Sequence, residues 1–301
     1  MLKYALNSNL QKYFTEASRR RVSEQLRKPT VISAEMADRK ECKVLVALDF
    51  DHTVIDNNSD TYVCKLAPGG CIPDHLKVLY RKDGWTQYMG EIFKLLHSNQ
   101  VTREDILTCL TEISLTPGMR DLLTGLPRKD TEFIIISDAN YVFIDHILKH
   151  LGLRDLFKEV YTNPAEFDEG GCLRVNMYHL QDWCSLSTKN LCKGDILTNY
   201  IKSREEQNIV FKTVAYIGDG TNDFCPGLRL KGGDMVFPRR GYSLTDYIAK
   251  MEMKGVQLEA EICVWDSGKE ILEQLLKCYQ NLNESRVPVP RLREPSAFTN
   301  L

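Results

Sequence analysis

No apolar stretch in the 301 residues approaches the roughly 20 that a membrane-spanning helix needs, so a soluble chain is expected. An excess of one charge is missing as well. Lys and Arg number 39 against 41 Asp and Glu, a net charge of -2 with a pI near 6.3, which gives no overall nucleic-acid signature. Internal repeats are absent. No secretory signal precedes the ten cysteines, and they scatter through expected strands and helices. That pattern predicts reduced thiols in a cytoplasmic protein rather than a disulfide framework. What the chain does have is 43% hydrophobic residues, enough for one sizeable core and a smaller unit.

The core announces itself at VLVALDFDHTVIDNNSD, residues 44–60. Val44, Leu45, Val46, Ala47 and Leu48 form an unbroken apolar run, as in a short strand buried on both faces of a parallel sheet, and the run stops at carboxylates. Asp49 and Asp51 therefore arrive at the carboxyl-terminal sheet edge, where open α/β sheets bind ligands. Two carboxylates that close repel unless a cation or a proton lies between them, which points to a metal, to acid/base work, or to both. A plain acidic turn is the alternative. The offsets of Asp49, Asp51, Thr53, Asn57 and Asp60 also fit a calcium-binding EF-hand loop, but that loop needs a preceding helix and a glycine at its sixth position. Here a strand precedes and Val54 stands at the sixth, so we set that reading aside.

Residues 1–40 read as a basic, flexible extension, in which Lys12, Arg19, Arg20, Arg21, Arg27 and Lys28 outnumber Glu16 and Glu24. Mitochondrial targeting by this leader, or an alternative start at Met36, stays open. A helical insert is expected at about 57–115. Trp85, Tyr88, Met89, Ile92, Phe93, Leu95 and Leu96 recur there at helical spacing and read as a packing face, and Thr102 with Asp105 resembles a capping box. Beyond Thr116, strands and helices alternate. Strands are expected at 133–136, ending at Ser137, at 214–217, ending at Gly218 and Asp219, and at 235–237 and 262–265. A helix through Val142 to Leu151 should stop at Gly152, and another over 270–279 should close the core. The pattern predicts an α/β, doubly wound, Rossmann-like parallel sheet with a helical cap, spanning 41–283, and a Pro-rich flexible tail at 284–301.

Several strands ending in polar residues suggest one shared site. Ser137 can offer a hydroxyl to a phosphate oxygen, although alone it would be an ordinary helix cap. Lys193 stands at the expected start of a helix, where a cation opposes the helix dipole unless an anion lies nearby. Asp219 and Asp223, on the glycine-permitted turn of GDGTND, can complete an oxygen site for a hard cation, or simply form an Asx turn. Elsewhere, His179, Cys184 and Cys192 are three metal-type ligands without a fourth, which leaves a structural zinc open.

DFDHT (Asp49 to Thr53), IIISD (Ile134 to Asp138), Lys193 and GDGTND (Gly218 to Asp223) together resemble the four motifs of haloacid dehalogenase-like hydrolases, in order. Over residues 43–276, the longer words VIDNNSD, WTQYMGEIFKLL, LTPGM, SDAN, TNPAEF, NLCK, YIGDGTNDFCP and FPRRGY are similar to the small eukaryotic family containing phosphoethanolamine/phosphocholine phosphatase and its pyridoxal-phosphate phosphatase paralogue. The resemblance implies Mg²⁺-dependent hydrolysis of small phosphomonoesters. Carried over residue by residue, it makes Asp49 the nucleophile that forms an aspartyl-phosphate and Asp51 the general acid and base. Thr53, Ser137 and Lys193 would bind phosphate. Asp49, the Asp51 carbonyl and Asp219 would hold Mg²⁺, with Asp223 as a ligand or an orienting residue. Asp60 and Asp138 match acidic positions that would bind the substrate's ammonium group, and Asp138 also fits a helix cap. The family often has a denser His/Cys run before NLCK, whereas this chain has Asp182 and Ser187 there, a departure that counts against a zinc.

The expected function is therefore phosphoethanolamine or phosphocholine hydrolysis, with pyridoxal-phosphate hydrolysis by the same chemistry as the alternative. From another class, the chain could be an inactive phosphatase-like binding protein that uses its basic leader to reach an anionic surface. Its expected partner is a small phosphorylated substrate, with no nucleic acid and no membrane span.

Overall fold

The computed structural model describes residues 40–81 and 84–284; the basic leader and the Pro-rich tail expected from the sequence lie outside them. Six strands form one parallel sheet: β1 (Lys40–Leu48), β2 (Thr131–Asn140), β3 (Phe157–Asn163), β6 (Ile209–Gly218), β7 (Met235–Pro238) and β8 (Glu261–Ile262), in the order β3-β2-β1-β6-β7-β8. The chain builds outward from β1 to β2 and β3, then returns to the other side of β1. Strand order thus reverses between β1 and β6, the place where such sheets bind ligands. A two-stranded antiparallel ribbon, β4 (Ala165–Phe167) and β5 (Leu173–Val175), stands apart.

The expected apolar run lies inside β1, and Val44 through Leu48 are fully buried. Because successive side chains of a strand point to opposite faces, the run feeds two cores. Val44, Val46 and Leu48 join Phe133, Ile135, Ala215 and Ile217 on one face; Leu45 and Ala47 join Ile134, Ile136, Val214 and Tyr216 on the other. Each such side chain contributes about 1.5–3 kcal/mol on burial, so the central strands anchor whatever stands at their ends.

Between β1 and β2 lie the helices α1 (Ser59–Tyr62), α2 (Asp74–Lys77), α3 (Trp85–Ser98), α4 (Arg103–Leu110) and α5 (Met119–Gly125). Met89, Ile92, Phe93 and Leu96 of α3 enter the first core, so most of the expected packing face packs. The expected capping box opens α4: the Thr102 hydroxyl accepts from the Asp105 amide at 3.1 Å, and the Asp105 carboxylate accepts from the Thr102 amide at 2.8 Å. Helix α6 (Tyr141–His150) follows β2 and ends before Gly152, whose φ of +67° suits glycine. Helix α7 (Lys193–Glu206) covers the second face through Ile196, Leu197 and Tyr200. After β6 come the short α8 (Phe224–Gly227), then α9 (Ser243–Glu252) and α10 (Gly268–Glu284).

Three differences from the sequence reading have local causes. β3, with the sequence FKEVYTN, lacks an apolar run because it is an edge strand with exposed positions. The strand expected at 262–265 shrinks to Glu261–Ile262, and Trp265 keeps only an isolated bridge to Arg239. The helix cap after Ser137 is Asn140, whose side-chain oxygen accepts from the Phe143 amide at 3.1 Å; Asp138 is thereby left out of capping.

Candidate active site

The ends of β1, β2 and β6 bring the sequence-predicted residues together. The Asp49 amide donates to the Ile217 carbonyl at 2.9 Å, so pairing between β1 and β6 continues up to the first carboxylate. Beyond it the chain winds tightly, and the amides of Thr53, Val54 and Ile55 all donate to the Phe50 carbonyl at 2.8–3.3 Å. Asp51 is held by the Ser59 amide, which donates to its Oδ1 at 3.0 Å.

Lys193 is the hub. Its ammonium is fully buried, with Nζ at 2.6 Å from Asp49 Oδ2 and 2.7 Å from Asp223 Oδ1. Burial pulls this ammonium toward neutrality, but the Asp223, Asp49 and Asp138 carboxylates outweigh it and hold the lysine charged. The anion that the helix-start position demanded is therefore supplied by the protein itself. Asp223 is saturated: besides Lys193 it accepts from the Tyr216 hydroxyl at 2.7 Å, and its Oδ2 accepts from the Asp219 and Gly220 amides at 3.0 and 2.9 Å. Asp223 thus orients the lysine and the Asp219 turn.

Asp49, Asp219 and Asp223 each have a carboxylate oxygen within 4.8 Å of the others. Such a set of hard oxygens suits a small divalent cation. Its electrostatics point the same way. Burial above all pushes Asp49 up to about 7; Lys193 opposes that rise and Asp223 adds to it. Burial, followed by the charges of Asp49 and Asp223, pushes Asp219 up to about 8. The cluster lacks positive charge, and a proton or a metal ion supplies it. Asp51 is raised well above the usual carboxylate range by burial and then by Asp60.

Asp49, Asp51, Asp60, Ser137, Asp138 and Asp219 share a cleft of about 350 Å³ with Tyr80 and Trp85. Thr53, expected at the phosphate, is fully buried and not among the lining residues; its hydroxyl donates to Asp219 Oδ1 at 3.4 Å. Ser137 Oγ accepts from the Ala139 amide at 3.2 Å, leaving its proton for a ligand. Asp138 Oδ2 accepts from Asn222 Nδ2 at 2.9 Å and from the Thr188 hydroxyl at 3.4 Å, whereas Oδ1 is buried with no partner among the described residues. Asp60, pushed up to about 6 mainly by burial, has both oxygens engaged. Trp85 Nε1 donates to one at 2.8 Å and Asn140 Nδ2 to the other at 3.1 Å.

Trp85 is therefore a wall of the cleft as well as a packing residue, which corrects the sequence reading. Asn140, Asn222, Thr188 and Tyr216 escaped that reading because each acts through a carboxylate that it orients. Asn140 in SDAN and Tyr216 and Asn222 in YIGDGTNDFCP lay inside motif words without a role assigned to them, and Thr188 carried no signal. Arg239 was missed too: Nη1 donates to the His52 carbonyl at 2.5 Å and Nη2 to Asp56 at 2.6 Å, bracing the loop after Asp51.

The family described as Putative Phosphatase matches residues 44–279. Pyridoxal phosphate phosphatase PHOSPHO2 of Mus musculus is 41% identical over 235 residues, covering 77% of this chain and 97% of its own. Phosphoethanolamine/phosphocholine phosphatase of Gallus gallus is 35% identical over 248 residues, covering 80% and 92%. A solved phospho-aspartyl intermediate analogue of phosphoserine phosphatase aligns with a TM-score of 0.50 at 18% identity, over 77% of this chain and 98% of its own, a likeness of fold.

Proposed function

The chain belongs to the Putative Phosphatase family of haloacid dehalogenase-like phosphoric monoester hydrolases, and from that premise we propose that it hydrolyses phosphoethanolamine or phosphocholine with Mg²⁺. The observation that carries the substrate is Asp138 Oδ1, a buried carboxylate oxygen without a donor among the described residues, in the same cleft as Asp49. An ammonium group is the ligand that satisfies it.

The reaction follows from where the groups stand. Asp49 attacks phosphorus, forming an aspartyl-phosphate while the ester oxygen leaves. Asp51, whose burial favours the protonated carboxyl, gives its proton to that oxygen and then, as a carboxylate, takes one from the water that hydrolyses the intermediate. Lys193 offsets the charge of Asp49, without which two anions would have to meet. Ser137 donates to a phosphoryl oxygen. Asp49, Asp219 and the Asp51 carbonyl would hold Mg²⁺, which supplies further neutralisation of the phosphoryl charge. Asp223 keeps its orienting role. Asp60 fixes the Trp85 indole, whose face can receive a quaternary or primary ammonium.

A second reading, pyridoxal phosphate as substrate, is supported by the higher identity to the Mus musculus pyridoxal phosphate phosphatase. Tyr80 and Trp85, in edge contact with centroids 6.0 Å apart and planes at 84°, then give the pyridine ring an aromatic wall on which one of the two can stack.

Phosphate release with Mg²⁺ from phosphoethanolamine, phosphocholine and pyridoxal phosphate, with Asp49→Asn as the blank, tests both readings. Preference for the first two supports the ammonium site. Preference for pyridoxal phosphate overturns it in favour of the second reading, and slow turnover of all three overturns both substrates.

A further inference from the structure

Outside the phosphatase cleft, three cysteines from two distant segments meet. Cys184 and Cys192 precede α7, and Cys225 belongs to α8 just after Asp223. Cys184 Sγ is 3.4 Å from Cys225 Sγ, Cys192 Sγ is 3.8 Å from it, and all three sulfurs lie within 4.8 Å of one another. Between them stands Ser187, with Oγ 3.5 Å from Cys184 Sγ and 3.4 Å from Cys192 Sγ.

These separations can be compared with a tetrahedral zinc cage. Zn–S bonds of about 2.3 Å place two sulfurs about 3.8 Å apart, and a Zn–O bond of about 2.0 Å places an oxygen about 3.5 Å from each sulfur. The four edges Cys184–Cys225, Cys192–Cys225, Ser187–Cys184 and Ser187–Cys192, at 3.4–3.8 Å, lie within about 0.4 Å of such a cage, and the Cys184–Cys192 edge is under 4.8 Å. His179, the ligand suggested by the sequence, is not in the group: its Nε2 accepts from the Cys192 amide at 2.8 Å. Ser187, read in the sequence as evidence against a zinc, stands at the fourth vertex.

We propose that Cys184, Cys192 and Cys225, with the Ser187 hydroxyl or a water at the fourth position, bind a thiophilic divalent ion, Zn²⁺ foremost. Binding releases three thiol protons and leaves three thiolates on the ion. Soft sulfur ligands separate this site from the hard oxygens of the phosphatase centre. A disulfide would use two sulfurs and leave the third cysteine and the hydroxyl without a purpose.

The site has a structural consequence. Cys192 immediately precedes Lys193, and Cys225 lies two residues after Asp223, so one ion would clamp together the segments that carry this buried ion pair. The packing there is already tight, since a Cβ on Gly194 would lie 2.6 Å from Cys225 Sγ.

The full chain, purified under reducing conditions and stripped of metal, should bind Co²⁺ with a sulfur-to-cobalt charge-transfer band in the near ultraviolet and the visible bands of a tetrahedral ion. A carboxylate-bound Co²⁺ gives no such charge transfer, and Zn²⁺ should abolish the band. Cys184→Ser, at a partly exposed position, and Cys225→Ser should weaken this binding at least about tenfold, while Cys263→Ser, outside the cluster, should not. Zn²⁺ should also protect three thiols of the unaltered chain from alkylation, a readout that needs no variant to fold. Absence of the charge-transfer band, or alkylation indifferent to Zn²⁺, would overturn the proposal. So would a Cys184–Cys225 cross-link in protein that excludes Co²⁺, which would make the cluster a redox pair.

Discussion

Replacing Asp138 by Asn tests the substrate assignment at one atom. Asp138 Oδ2 is held by Asn222 and Thr188, both donors, so the amide of an Asn should keep its oxygen on that side. Its NH₂ then falls where Oδ1 now stands without a partner among the described residues. An ammonium that met an acceptor would meet a donor. A charge-assisted hydrogen bond contributes about 1.5–3 kcal/mol, and the wrongly placed donor pushes the loss to the upper end, about 2–3 kcal/mol. At about 1.4 kcal/mol per decade this is roughly a 30- to 150-fold fall in kcat/KM for phosphoethanolamine. An aryl phosphate has no ammonium, so its kcat/KM should change by no more than about threefold. Both are read in one phosphate-release assay. Equal losses on the two substrates would refute the reasoning and make Asp138 a brace for the Asn222 turn. Asp60→Asn provides the contrast: both Asp60 oxygens already accept from Trp85 and Asn140, so an amide sets donor against donor and should lower turnover of every substrate alike.

Asp49→Asn should lower turnover by about 10⁴ or more, since an amide is a poor nucleophile; residual turnover within tenfold of the parent would remove the covalent step. EDTA should inactivate the enzyme reversibly, Mg²⁺ restoring the rate, and indifference to chelation would remove the metal. The metal-free protein should lose stability as pH rises from about 4 to 8. Asp49 and Asp219 are raised to about 7 and 8, so the folded state binds more protons than the unfolded state across that window, and each step upward favours unfolding. Mg²⁺ binds the deprotonated pair, so its increase in Tm should be larger at pH 8 than at pH 6; a pH-independent increase would contradict the assignment. Gly218→Ala places a Cβ 2.4 Å from Asp223 Cγ, against a side chain held by four donors, and should destabilise by about 1–3 kcal/mol in denaturant titration. Gly90→Ala, in α3 with no described atom within 4 Å of the new Cβ, should stabilise by about 0.5–1 kcal/mol.

The sequence made the buried strands legible where burial is two-sided. Val44 to Leu48 and Phe133 to Ile136 read as strands because both sheet faces demand apolar residues. The edge strand β3 has no such demand on its outer side and was missed. The amphipathic helix Ser243–Glu252 also went unread, although Leu244, Tyr247, Ile248 and Met251 recur at helical spacing and pack on one small cluster. The candidate site carboxylates, Ser137 and Lys193 were legible through motifs, whereas the roles of the side chains that aim them were not. Tyr216 lies in an apolar run and looks like core, yet its hydroxyl fixes Asp223. Cys225 was invisible as a partner of Cys192 because 33 residues separate them, and only the return of the chain past β6 brings their sulfurs together.

Charge explains why these residues occur as a set. Asp49, Asp219 and Asp223 against Lys193 leave a formal -2 in a buried site, and a divalent ion brings it to neutrality. A phosphate monoester could not reach Asp49 in the uncompensated cluster, because its own negative charge would add to a site where the existing carboxylates already favour protons. Lys193 cannot supply the deficit alone: its Nζ is bonded to Asp223 as well as to Asp49, and that contact fixes it in place. The same logic extends to the cleft wall. Asp138 contributes a further buried charge whose donors among the described residues, Asn222 and Thr188, are neutral and leave Oδ1 open. Under the proposed function, a substrate carrying both a phosphate and an ammonium would bring a cation to Asp138 as its phosphate approaches Asp49, and so would meet both demands of the cleft. An aryl phosphate meets one of those demands, and the difference in kcat/KM between the two substrates measures the other.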